Sequence, residues 1–200
     1  MSTTSTLTQG FTDPVRDAQA VFRAVMEATA RPGTIQALRG VAEAPAPLTP
    51  ELAAVALALA DHEAPVWLDP TLAEAPAVAA FLRFHTGAPI TADPAAASFA
   101  LLAAPASCPP HTLFAQGTPD YPDRSATLVL AVDRLEAGSG WRLEGPGIDG
   151  QARLVAAPLP GDMLGRLARN RALFPRGLDH LLVATGRVAA IPRSTVVTEG

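Results

Sequence analysis

Between residues 11 and 102 the chain alternates helical and strand-like apolar runs, and that alternation constrains the fold more than any single motif does. The first helix is marked at both ends. Asp13 offers an oxygen to the free N–H groups, and Pro14 takes the first helical position, where a missing N–H costs nothing. Val15, Ala18, Phe22, Val25, Met26 and Thr29 recur at helical spacing and predict one buried stripe. Arg31-Pro32-Gly33 ends the helix, because Pro32 disfavours helical geometry at Arg31 and Gly33 accepts a left-handed turn. Thr34–Leu38 reads as a short strand, and Thr49-Pro50 opens a nearly all-apolar helix, Glu51–Ala60, expected to be buried on most sides. Pro65–Leu68 is a strand, Glu74–His85 an amphipathic helix with Gly87 just beyond it, and Ser98–Leu102 a further strand.

The second half is richer in strands. Residues 103–124 hold five prolines and form the longest irregular stretch, of the kind that faces a ligand or a partner. Ala126–Asp133 reads as a central strand. Trp141–Glu144 and Gln151–Val155 flank a Gly-rich turn and read as a hairpin. Met163–Phe174 is an Arg-studded helix, followed by strands at His180–Thr185 and Val188–Ile191. Together these predict a polar, mobile segment over residues 1–10 and a single α/β domain over 11–200, with a mixed sheet flanked by helices.

Composition removes several classes of function. A net charge of −4 gives no nucleic-acid surface. The longest apolar run, Leu52–Ala60, falls well short of the roughly 20 residues that span a membrane. The N-terminus has neither the basic region nor the apolar core of a secretion signal, so a cytoplasmic location is expected. Cys108 is the only cysteine, which rules out an internal disulfide and a cysteine-ligated iron–sulfur cluster. All fifteen basic residues are arginine. With no lysine amine, the chain cannot form a Schiff base with pyridoxal phosphate, nor build a Gly-x-x-x-x-Gly-Lys-Ser/Thr loop. No cofactor is therefore expected.

Gly145-Pro146-Gly147-Ile148-Asp149-Gly150 matches a dinucleotide fingerprint letter for letter, but a strand follows it where a helix is required. It reads as a hairpin turn. His62, His85, His111 and His180 have no i, i+3 or i, i+4 spacing, so no local metal site is indicated. No Gly-x-Ser-x-Gly elbow accompanies any serine. Cys108, in a proline-flanked loop, reads as inert. The candidate ligand- or partner-binding residues are arginines and one histidine, and no catalytic residue is assigned. Arg31 follows the first helix and Arg193 follows a strand, each beside a proline, and a guanidinium suits phosphate or phosphonate. Arg83 and His85 lie in the last turn of a helix, where they offset its dipole or bind an anion. Arg23 shares a helix face with at most one of Asp17 and Gln19.

Six segments in order carry a family resemblance. They are Asp-Pro-Val-x-Asp-Ala-Gln-x-x-Phe-Arg with Ala-Arg-Pro-Gly-Thr (13–34), Leu-Ala-Asp-His-Glu-Ala-Pro-Val-Trp-Leu-Asp (59–69), Arg-Phe-His-Thr-Gly-Ala-Pro (83–89), Gly-Pro-Gly-Ile (145–148), Phe-Pro-Arg-Gly-Leu-Asp (174–179) and Ala-Ile-Pro-Arg-Ser-Thr (190–195). Over about residues 11–197 the chain resembles the PhnH family, a subunit of the bacterial carbon–phosphorus lyase core complex. The resemblance implies a three-layer sandwich similar to pyridoxal-phosphate-dependent transferases, here without the cofactor. It also implies homodimers, and assembly with PhnG, PhnI and PhnJ subunits in organic phosphonate catabolism. The family's reaction displaces adenine from ATP by an alkylphosphonate such as methylphosphonate, giving alpha-D-ribose 1-methylphosphonate 5-triphosphate. Two roles stay open: an interaction subunit that never touches substrate, and a donor of arginines to a composite ATP or phosphonate site. A stand-alone small-anion binding protein is the alternative outside the complex.

Overall fold

The computed structural model describes residues 9–200. Of the N-terminal segment expected to be mobile, residues 1–8 lie outside the described residues, and Gly10 is buried against Leu57 and His85.

Helix α1 (Pro14–Ala30) begins as its sequence dictates. Asp13 accepts the Arg16 N–H at 3.1 Å, and Asp17 accepts the Asp13 N–H at 2.9 Å. Strand β1 (Gln36–Ala37) follows, then α2 (Pro50–Leu59), capped by Thr49, and β2 (Val66–Leu68). The helix expected over 74–85 is α4 (Pro76–Thr86), and a separate short helix that spacing did not show, α3 (Pro70–Ala73), precedes it across a break at residues 74–75. Pro76 forces the break: Ala75, the residue before it, is extended with ψ 96°. Gly87 closes α4 with φ +72°. Two-residue β3 (Ile90–Thr91), β4 (Phe99–Leu102) and β5 (Thr127–Ala131) come next. The hairpin β6 (Arg134–Glu144) and β7 (Ala152–Ala157) precedes α5 (Met163–Ala172), β8 (Asp179–Ala184), β9 (Arg187–Ile191) and β10 (Val196–Thr198).

Seven strands form one mixed sheet in the order β1-β9-β8-β5-β4-β2-β3, with β3, β2, β4, β5 and β8 mutually parallel and β9 reversed. Both edge strands are only two residues long, which limits the open backbone. Successive residues of the central strands point to opposite faces, and both faces are covered. On one face Val66, Leu68, Leu101, Val129 and Leu181 pack with α1, α2 and α4. On the other, Trp67, Ala100, Leu102, Leu128, Leu130 and Leu182 pack with α5, with Cys108 and Phe114, and with a second sheet ordered β10-β6-β7. The second sheet extends the expectation of helices alone: one outer layer is helical, the other mixed.

Of the stripe that spacing predicts on α1, only Val25 is buried. Val21, Val25 and Ala28 are buried, whereas Val15, Phe22 and Met26 are 66%, 50% and 52% exposed. The helix docks against β9 and α2 through its smaller side chains, which allow a closer approach. The large apolar residues are left facing outward.

Candidate functional site

Parallel strands β4 and β5 are joined by residues 103–126, where a helix ordinarily makes the crossover. Three short 3₁₀ turns stand in its place, at Pro105–Ser107, His111–Leu113 and Pro122–Arg124. A segment so poor in regular hydrogen bonds needs other partners for its backbone, and buried side chains supply them. Arg166 of α5, with its side chain only 14% exposed, donates from Nη1 to the carbonyls of Cys108 and Pro109, each at 2.8 Å, and from Nε to Asp162 at 2.7 Å. Gln116 donates to the carbonyls of His111 and Phe114. Asn170 exchanges a pair of hydrogen bonds with the backbone of Leu178.

Arg193 belongs to this set. Its backbone N–H and Nε donate to Asp179 Oδ1 at 2.8 and 3.1 Å, Nη2 to Asp179 Oδ2 at 2.5 Å, and Nη1 to the Pro122 carbonyl. Every guanidinium nitrogen is thus engaged by the protein itself, which holds the crossover to the start of β8. Arg31, by contrast, is exposed and stands 3.6 Å from Glu27, one turn back on α1. The two arginines share a corner of the molecule without sharing a task. A Cβ on Gly147 would overlap the carbonyl of Ala30, and one on Gly145 would stand 3.1 Å from the carbonyl of Ser194. Three of the quoted segments therefore meet where the β6–β7 turn crosses the end of α1 and the β9–β10 connection.

The other candidates lie elsewhere. Arg83 and His85 sit in the last turn of α4, with the His85 ring against Phe81 and Phe84. Gly87 lies over His62, so segments 59–69 and 83–89 also meet. Arg23 is exposed on α1 and, with Arg16, Gln19, Glu27 and Gln36, lines a groove of about 450 Å³ beside edge strand β1. Asp17 faces away from it, toward Arg39. The five candidates thus fall at three places.

Spacing gave no sign of two buried features. The sheet's connections change direction between β2 and β4, the point at which open α/β sheets usually receive ligands. There Asp69, 3% exposed, accepts the N–H groups of Leu72 at 2.9 Å and Ala104 at 2.7 Å. The protein's own carboxylate ties the two strand ends together. The second feature is an imidazole pair. His180 Nε2 lies 3.4 Å from His111 Nε2, with both rings buried. Burial drives both pKa values down, with His180, Arg166 and Arg169 adding to the effect at His111 and Asp179 partly opposing it at His180. Both rings are neutral at pH 7. Cys108 is buried, its thiol pushed up to about 11 by desolvation against the opposing pull of Arg166, which leaves it a poor nucleophile. Among the described residues no three His, Cys, Asp or Glu side chains gather where a metal ion could be held. Nor is any helix there long and apolar enough to cross a membrane.

These features define an α/β domain in which Asp69, Arg166, Asn170 and Arg193 serve its own loops and strand ends. The chain belongs to the bacterial phosphonate metabolism protein (PhnH) family, whose model matches residues 9–198. It is 45% identical over 185 residues, 92% of each chain, to alpha-D-ribose 1-methylphosphonate 5-triphosphate synthase subunit PhnH of Rhizobium meliloti (strain 1021). It is also 34% identical over 79 residues, 40% of each chain, to a putative C-P lyase subunit protein, HtxG, of Stutzerimonas stutzeri.

Proposed function

We propose that this protein is an accessory subunit of the carbon–phosphorus lyase core complex. In that role it supports formation of alpha-D-ribose 1-methylphosphonate 5-triphosphate from ATP and methylphosphonate beside PhnG-, PhnI- and PhnJ-type partners. The observation that carries this reading is the match along 92% of a PhnH synthase subunit. The structure favours an interaction role over substrate chemistry. Asp69 ties the strand ends together at the crevice in which such sheets take ligands, and each guanidinium nitrogen of Arg193 donates within the chain. We further propose a cytoplasmic location, a homodimer in isolation and a three-layer fold similar to that of pyridoxal-phosphate-dependent transferases. Without lysine, that fold carries no Schiff-base chemistry.

The groove beside β1 keeps a second role open, since Arg16 and Arg23 offer guanidinium groups there to a composite anion site. Complementation separates the alternatives. The gene should restore growth on methylphosphonate to a strain lacking its own PhnH, and the tagged protein should co-purify with the other core subunits. Failure of both would overturn the subunit reading. If growth is restored but Arg16→Gln/Arg23→Gln abolishes it without loss of the complex, the composite-site role replaces the interaction role.

A further inference from the structure

The crossover between β4 and β5 meets the chain beyond the C-terminal end of α5, and the two segments are tied together there. The Gly177 N–H donates to the Gln116 carbonyl at 2.9 Å, and Arg193 joins the Pro122 carbonyl to Asp179. Each segment leaves a large aromatic in solvent at this junction, Tyr121 at 52% and Phe174 at 53% exposed. Each aromatic also carries an arginine on its ring. Arg124 Cζ lies 4.2 Å from the Tyr121 centroid, and Arg171 Cζ lies 5.1 Å from that of Phe174.

Stacking occupies the flat face of a guanidinium and leaves its N–H edge to a third group. The chain supplies none. Among the described residues Arg124, Arg171 and Arg176 have no carboxylate within ion-pair distance, and Arg169, 72% exposed, stands 3.8 Å from Asp162. Arg171 Nε is buried without a hydrogen-bond partner. The end of α5 attracts cations, which accounts for Arg169 and Arg171 but not for Arg124 and Arg176 outside the helix. Residues 103–126 and 162–179, with Arg193, hold six arginines against four aspartates in a chain whose net charge is −4. The junction is therefore locally positive on a negative molecule.

We infer that this junction docks an acidic segment of one of the partner subunits proposed above. The inference rests on the accessory-subunit reading and adds where contact is made and with what chemistry. Carboxylates of the segment accept from the free edges of Arg124, Arg171 and Arg176, while its apolar side chains cover Tyr121, Phe174 and the half-exposed Leu113. Between the crossover and α5 a hollow of about 130 Å³, lined by His111, Thr112, Gln116, Arg169 and Leu173 among others, takes one side chain. Thr112 and Leu173 directly precede Leu113 and Phe174, so the hollow opens beside the apolar residues. Aromatics and arginines already held in one orientation make interface anchors, because little side-chain freedom remains to be lost on binding. A small anion fits less well: the arginines are spread over two segments, and Asp162 shares the hollow.

The affinity of the full chain for the reconstituted partner subunits, measured by biolayer interferometry over a salt series, tests this surface. Arg171→Glu and Arg176→Glu should each raise the dissociation constant by about tenfold or more, with circular dichroism and melting temperature unchanged. Arg171→Gln should lose less, and its affinity should fall less steeply with salt than that of the wild type. Arg124→Glu, in the exposed turn, decides the matter should a change at Arg171 prevent folding. A wild type that binds none of the subunits overturns the inference together with the accessory-subunit reading. Wild-type binding that all three reversals leave within about twofold overturns this surface and leaves that reading standing. Equal losses from Arg171→Gln and Arg171→Glu would overturn the acidic chemistry of the partner, and the inference with it. Saturable binding of inorganic phosphate to the isolated chain, abolished by Arg171→Glu, would assign the arginines to a small anion. Loss of self-association with partner binding intact would assign the face to a second copy. Either result overturns the inference.

Discussion

Arg193→Ala should destabilise the protein by about 2–4 kcal/mol, far more than the 0–1 kcal/mol of an exposed ion pair. The substitution removes two guanidinium bonds to Asp179 and one to the Pro122 carbonyl, and spares the backbone N–H that Asp179 Oδ1 also accepts. Charge-assisted hydrogen bonds contribute about 1.5–3 kcal/mol each when buried. The side chains here are 16% and 30% exposed, so water recovers part of the loss, and three such bonds do not sum to their full value. Arg193→Lys should recover less than half, because an ammonium cannot span both carboxylate oxygens and the carbonyl. Urea unfolding of Arg193→Ala, Asp179→Ala and the double variant gives the coupling, expected to exceed about 1 kcal/mol for groups in direct contact. Growth on methylphosphonate should fall with Arg193→Ala only as far as folded protein falls, and should recover at lower temperature. A loss of stability below about 0.5 kcal/mol, or a folded variant that cannot support growth, would refute the structural assignment and return Arg193 to a binding role.

The imidazole pair sets an acid limit. Each ring takes up a proton more readily unfolded, near pH 6.5, than folded, at about 3 for His111 and about 4 for His180. Their contribution is therefore complete above about pH 6.5 and is lost as pH falls from there toward 4. Proton uptake on unfolding near pH 5, measured by calorimetry in buffers of different ionisation enthalpy, should drop when His180 and His111 are replaced together by Gln. Gly147→Ala should cost about 2–3 kcal/mol, since it combines φ +80° with overlap of the Ala30 carbonyl. Gly150→Ala, at φ +67° in open space, should cost about 1 kcal/mol, and thermal melts would separate the two. Cys108 should resist a thiol reagent in the folded protein at pH 8 and react fully in urea; rapid labelling of the native state would contradict its burial.

What could be read in advance follows the range of the interaction. Helix starts at Asp13-Pro14 and Thr49-Pro50, the stop at Gly87 and the turn at Gly145–Gly150 are decided within a few residues, and the structure has them where the sequence puts them. β3 escaped notice because a two-residue edge strand carries too few side chains for a period. The clamps were illegible for the opposite reason. Arg166 reaches Cys108 and Pro109 across 58 and 57 residues, Arg193 reaches Pro122 across 71, and Asp69 reaches Ala104 across 35. Nothing in local spacing connects such pairs.

The arginines show why residue type alone misassigns a role. A guanidinium beside a stiffened backbone suits a phosphonate, but it suits equally a carboxylate and a row of carbonyls in a crossover that lacks a helix. The deciding quantity is how much hydrogen-bonding capacity remains after folding. Arg193 has committed all three guanidinium nitrogens within the chain, and Arg166 has bound two carbonyls and a carboxylate. Arg16 and Arg31 hold only long, exposed contacts within α1, and Arg23 lies at the outer edge of the same helix. Arg16, Arg23 and Arg31 thus bring spare cationic capacity to the same helix that leaves Phe22 and Met26 exposed. A partner able to cover Phe22 and Met26 must also meet those charges. Association of this subunit should accordingly combine a salt-resistant apolar contribution with a salt-sensitive one, and both should be lost together when α1 is altered.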